Sequence, residues 1–224
     1  MRNLRLRSMS AVLALCVGIF LPSRVLGENA NPGIIPPNAT YGGMTYGEWG
    51  AHYLYRFFPG EPSDENLNPK NVYFPQAASA NDPTDHFDET IPAGHAVMIM
   101  VLASITTTNG PIVPDWGYYD SNWLEADLAW FQSMAEAGGI FCSIDGVPVR
   151  NLKDYIVSGA FPHSIEWDAL PGVPFDTALG CFLLIKPLTP GHHSVYIEWR
   201  FGTPFHLTYD ITVIPDPPVQ GGRK

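Results

Sequence analysis

The 224-residue sequence predicts a mainly-β fold, an antiparallel β-sandwich of the Ig-like or jelly-roll-like kind with two peripheral helices. Three observations carry that expectation. Short extended segments at 155–158, 164–167, 181–186, 194–201 and 205–214 follow one another between Pro and Gly punctuation, the spacing of an all-β sandwich. In the last of them, HLTYDITVI, Leu207, Tyr209, Ile211 and Val213 share one face, because side chains alternate across a strand. Only two stretches have helical periodicity, and both carry start and stop signals.

The first helix is expected in TYGEWGAHYLYRFF. Thr45 and Glu48 have capping-box spacing, Trp49, Tyr53, Leu54, Phe57 and Phe58 recur at helical intervals, and Pro59-Gly60 stops the run. Its aromatic face suits burial against a sheet. The polar, proline-punctuated stretch 61–89 reads as loops around one short strand at NVYF. HAVMIMVLASITTT, after Pro92-Ala93-Gly94, is apolar and β-branched enough for a strand buried on both faces, the central one. Asp120-Ser121-Asn122 caps WLEADLAWFQSMAEA, where Leu124, Leu128, Phe131 and Ala135 share a stripe and Gly138-Gly139 ends the helix. Asp145-Gly146, between IFCSI and VPVRN, suits a type I′ hairpin because both residues tolerate positive φ, and Pro148 confines the second arm to an edge.

Residues 1–27 read as a cleaved signal peptide. Arg2, Arg5 and Arg7 precede an apolar run at 11–21 that is shorter than the ~20 residues a membrane-spanning helix needs. Residues 28–40, ENANPGIIPPNAT, form an extended lead-in. A single sandwich domain is expected over 41–215, with a polar tail at 216–224. The expected location is secreted or periplasmic. Residues 1–27 hold four Arg and no acid, so the other 197 residues carry 8 basic and 22 acidic side chains, net −14. Such an acidic surface argues against a nucleic-acid partner and, once the signal is removed, against an anionic membrane. In an oxidising compartment Cys142 and Cys181 are expected to pair, closing a loop of about 40 residues worth ~3–4 kcal/mol; two separately buried thiols are the alternative.

YGEWGAHYLYRFF, IPAGHAVMIM, CSIDGVPVRNLKDYIV and CFLLIKPLTPGHHSVYIEWR with PFHLTYDITVI together resemble a group of secreted bacterial proteins of unknown function. In that group an aromatic "YGEW" helix precedes a β-sandwich. The likeness spans about 40–214 and implies a fold and a compartment; it transfers no activity and no catalytic residue.

Candidate chemistry is dispersed. Trp116, Tyr118, Tyr119 and Trp123 crowd the loop-like PDWGYYDSNW, where flat rings beside Asp and Asn suit stacking on sugars. Asp82, Asp85, Asp88 and Glu89, with His86 among them, are hard oxygen ligands of the kind Ca²⁺ takes, without the spacing of an EF-hand loop. No other cofactor is expected. His192-His193 is the one adjacent histidine pair, and on a strand its rings would face opposite ways. Glu166, Glu198 and Asp210 are strand carboxylates that a glycoside hydrolase would bring to about 5–10 Å. The sequence favours a binding module for a polysaccharide or an envelope or surface protein. The rival is a secreted hydrolase or metal-dependent enzyme, which would gather Glu198, Asp210 and a histidine in one pocket. Oligomeric state has no sequence signature here.

Overall fold

A computed structural model describes residues 31, 33–56, 71–76, 86–167, 170–202 and 204–215. Its strands form two packed sheets, one in the order β1-β3-β7-β6 and the other β2-β9-β8-β4-β5. In chain order they are β1 (Val72–Tyr73), β2 (His86–Pro92), β3 (Ala96–Thr106), β4 (Ile140–Ile144), β5 (Val147–Pro148), β6 (Ile156–Trp167), β7 (Leu170–Ile185), β8 (Gly191–Trp199) and β9 (Phe205–Ile214). Helix α1 (Tyr46–Tyr55) precedes the strands, and α2 (Trp123–Glu136) lies between β3 and β4. The sandwich with two helices is therefore as the sequence predicts. Most pairings are antiparallel, but β1 runs parallel to β3 and β2 parallel to β9. No described helix is long and apolar enough to cross a membrane.

Each residue of Tyr46-Gly47-Glu48-Trp49 has a structural task in docking α1. Glu48 closes the capping box, accepting from the Thr45 N–H at 2.7 Å while Thr45 Oγ1 accepts from the Glu48 N–H. The Thr45 N–H, and then the Thr45 hydroxyl, donate to the Glu48 carboxylate and hold it below the usual range. Trp49 is fully buried and its indole N–H donates to the Tyr41 carbonyl at 2.9 Å. The Tyr46 hydroxyl, also buried, donates to the Ile35 carbonyl and accepts from the Leu184 N–H. Gly47 meets the β6 backbone so closely that a Cβ would lie 2.0 Å from the Ser158 carbonyl oxygen; a Cβ on Gly159 would lie 1.9 Å from that of Gly47. Only two glycines let helix and strand approach this far. Tyr46, Trp49, Tyr53 and Tyr55 of α1 are thus core residues, while Phe57 and Phe58 lie outside the described residues.

The four-stranded sheet is covered on both faces, by α1 and by the other sheet. Accordingly β7 is buried at every position from Thr177 to Ile185, and β3 is buried at most of its length. Strand β7 runs longer than 181–186, its early half extending as a two-stranded ribbon with β6 beyond the last β3 partner, Thr106. Pro171 and Pro174 fall in that extension, where no third strand asks for their missing N–H. Segments 155–158 and 164–167 are one strand, β6, interrupted by a register shift between Ala160 and Ile165.

In the five-stranded sheet β9 alternates as expected, with Leu207, Tyr209, Ile211 and Val213 buried. Asp145 and Gly146 both take positive φ, 50° and 77°, making the tight β4–β5 hairpin, and β5 is the sheet edge. The region read as loops holds a further strand, β2, at the opposite edge. Its polar residues fit because only one of its faces is covered, and Pro92 is tolerated at an edge.

Candidate functional site

The aromatic segment folds as a closed loop between β3 and α2. Val113 and Tyr118 exchange both backbone hydrogen bonds, at 2.9 and 3.2 Å, around a single 3-10 turn (Pro114–Trp116) and Gly117 at φ 87°. This places the four rings in two different environments. Trp123 is 2% exposed, and its indole N–H donates to the Pro111 carbonyl at 2.8 Å. Tyr118 stacks on it, centroids 4.1 Å apart and planes 7° from parallel, and donates its hydroxyl to Asp127 Oδ1 at 3.0 Å. Burial, then the Asp127 charge, pushes the Tyr118 phenol up to about 12, while burial also raises the Asp127 carboxyl against the bond from Tyr118. Trp123 therefore leaves the expected contact surface for the core, and Tyr118 serves as its lid. Trp116 and Tyr119 stay outside, 57% and 77% exposed, joined by Ile112 at 64%. Ile112 escaped the sequence reading because an isolated aliphatic in a loop carries no signal.

The second region is the uncovered face of the five-stranded sheet. His86 and Asp88, two apart on β2, share a face, and the β2–β9 register sets Asp88 directly against Asp210. His86 Nε2 lies 3.5 Å from Asp88 Oδ1 and 3.4 Å from Asp210 Oδ2. One ligand atom from each of the three falls within 4.8 Å of the others. A groove of about 410 Å³ adjoins them, lined also by Thr90, His192 and Thr212. Asp210 was flagged by the sequence as a possible catalytic carboxylate; its meeting with His86 and Asp88 is what the sequence concealed.

Glu89 faces the other way and is 6% exposed, accepting from the Tyr73 hydroxyl at 2.6 Å and the Gln76 N–H at 2.8 Å. With both oxygens engaged inside, Glu89 does not join Asp88 as a Ca²⁺-type ligand, which corrects the expectation at that residue. Asp82 and Asp85 lie outside the described residues.

His192 and His193 lie in the first residues of β8, and their side chains diverge as the strand expectation has it. His192 Nδ1 is 3.1 Å from Thr212 Oγ1 on the open face. His193 Nδ1 is 2.8 Å from Asp145 Oδ2 and its Nε2 2.9 Å from the Thr189 carbonyl. Both partners only accept, so the ring satisfies both as an imidazolium and keeps no lone pair for a metal. Burial works to lower this histidine, but the bonds to Asp145 and Thr189 and the Asp145 charge outweigh it and leave it raised.

The hydrolase arrangement is not assembled by these carboxylates. Glu198 opposes His206 and Asp210 opposes Ser194, four residues apart in the same ladder, or ~13 Å at about 3.3 Å per residue. Glu198 is held instead by Arg200 at 2.8 Å, which keeps its carboxyl below the usual range. Glu166 belongs to β6, in the other sheet.

Cys142 and Cys181 are both free thiols, fully buried, on β4 and β7 of the two facing sheets. Burial and then the neighbouring Cys142 push the Cys181 thiol up, and burial pushes Cys142 up to about 12. Such thiols are poor nucleophiles. No protein family, curated protein or solved structure matches the chain.

Proposed function

We propose that this chain is an exported binding module that contacts polysaccharide through the 112–119 loop. The supporting observation is that Trp116 and Tyr119 stand 57% and 77% exposed on a loop closed by its own backbone bonds. Large apolar rings out in water at a rigid site favour a ligand with an apolar face, and sugar rings offer one while their hydroxyls reach nearby acceptors such as Asp115 and Asp120. Because the loop is anchored by the Tyr118–Trp123 stack, little ordering is left to be done on binding. Export is supported by the Arg-then-apolar pattern of residues 1–27. In that setting Cys142 and Cys181 pair, two thiols yielding two protons and two electrons to an oxidant of the thiol–disulfide exchange class.

The test is retention of the folded protein in gels containing single soluble polysaccharides. Trp116→Ala combined with Tyr119→Ala abolishes retardation on the preferred polymer while the melting temperature stays within about 1–2 °C of the parent. Undiminished retardation by the double variant, or no retardation of the parent on any polymer, rejects the reading.

A further inference from the structure

We propose that the groove between the last turn of α2, β4 and residues 149–153 binds a small organic anion with an apolar ring, of the aromatic carboxylate class. It uses none of the residues of the 112–119 loop and stands or falls separately from polysaccharide binding.

Shape, rigidity and charge point to such a ligand independently of one another. The groove holds about 420 Å³, within the roughly 300–1,000 Å³ of small-ligand sites. Ile140, Phe141, Val149 and Leu152 give it apolar walls, and Asn151 and Lys153 stand among them as polar groups. The wall at 149–153 is fixed before any ligand arrives. The Val149 N–H donates to the Cys142 carbonyl at 2.8 Å, and the buried Asn31 carboxamide accepts from the Arg150 N–H at 2.8 Å and donates to the Arg150 carbonyl at 2.9 Å. The chain then turns through Asn151 at φ 55°, which sends the next side chain, Leu152, into the core. A wall already held in place has little freedom to lose on binding.

Charge selects the ligand. Outside residues 1–27 the sequence carries 8 basic and 22 acidic side chains, yet three of the five described Lys and Arg residues stand at this groove. Lys153 lines it, Arg150 belongs to its wall, and the Arg200 guanidinium lies 5.1 Å from the centroid of the Phe141 ring. Lys153 and Arg200 have carboxylate partners, Glu136 at 3.1 Å and Glu198 at 2.8 Å, but these four side chains are between 31% and 61% exposed, and ion pairs open to water contribute little. Asp154, the next residue along, does not line the groove. The groove beside Asp88 and Asp210 is of similar size and has no Lys or Arg in its lining. A ligand carboxylate can therefore take the Lys153 ammonium from Glu136, while an aromatic ring fills the space against Phe141, Val149 and Leu152.

Amide NMR of the full chain titrated with cinnamate, and separately with the uncharged cinnamyl alcohol, decides the matter. Cinnamate should saturably shift the amides of 135–141 and 149–153, the segments that border the groove. Cinnamyl alcohol with the parent, and cinnamate with Lys153→Ala, should each bind at least about tenfold more weakly, as the loss of one charge-assisted contact implies. Lys153→Arg should retain binding, and Lys186→Ala, a cation outside the groove, should leave it unchanged. The Lys153 side chain is 52% exposed, so neither substitution there threatens the fold. An absence of saturable shifts up to about 10 mM cinnamate overturns the proposal. So do shifts centred on the 112–119 loop, undiminished affinity in Lys153→Ala, or equal affinity for cinnamyl alcohol.

Discussion

Strands β7 and β9 both run through the interior of their sheets, yet β7 is buried residue after residue from Thr177 to Ile185 while β9 alternates buried and open positions. The difference is what lies outside each sheet. Helix α1 covers the four-stranded sheet, drawn in by the Gly47–Gly159 contact, and nothing among the described elements covers the face that carries Asp88, Asp210 and His192. A sheet hidden on both sides has room only for packing. The sheet hidden on one side is free to carry charged and ligand-forming residues, and it is where the histidines and acids converge.

That contrast can be broken first by truncation. Phe182→Ala on β7 empties a fully buried position beneath Gly50 and is expected to cost about 3–5 kcal/mol in urea unfolding; Thr208→Ala on the open face of β9 should stay within about 0.5 kcal/mol. Equal losses would mean that the two sheets are not differently covered. Next comes the proposed Cys142–Cys181 link between the sheets. Protein purified under oxidising conditions should lose about 3–4 kcal/mol on reduction, with alkylation of the denatured, unreduced chain finding no free thiol; two labelled cysteines would sink the pairing. Gly159→Ala tests the helix contact itself. Placing a methyl 1.9 Å from the Gly47 carbonyl oxygen should cost about 1–3 kcal/mol, whereas Gly94→Ala strains only a turn with open space around it. A neutral Gly159→Ala would show that α1 can lift away.

The smallest effect is expected at His193, at the rim of the open sheet. Its pKa is raised in the folded chain, so its contribution is full below its ordinary value near 6.5 and disappears as pH climbs through the folded value. Asp145→Asn should therefore lower the melting temperature by about 1–2 °C at pH 5.5, after solvent screening, and by less at pH 8.5. A loss that grows with pH would contradict the imidazolium assignment.

Local patterns carried much of the fold. The capping box at Thr45, the positive-φ pair Asp145-Gly146 and the alternation of β9 each need only neighbours in sequence, and each appears where the sequence places it. Strand β2 was missed because HFDETIP is polar on one side and ends in proline, features of an edge whose partner lies more than a hundred residues away. The same distance hid the meeting of Asp210 with His86 and Asp88. Trp123 is buried for a different reason: it opens α2 at the end of an aperiodic aromatic stretch, and Gly110, whose Cβ would lie 2.5 Å from the indole, leaves the space the ring fills.

The place of β9 has a consequence in time. It sits between β2 and β8 and is the last of the described strands, so a polypeptide emerging N-terminus first holds β2 without its one sheet neighbour until residues 205–214 arrive. Closing contacts of such long sequence separation is slow. A chain threaded across a membrane before those residues appear would remain extensible, and would lock into its final form only on the far side.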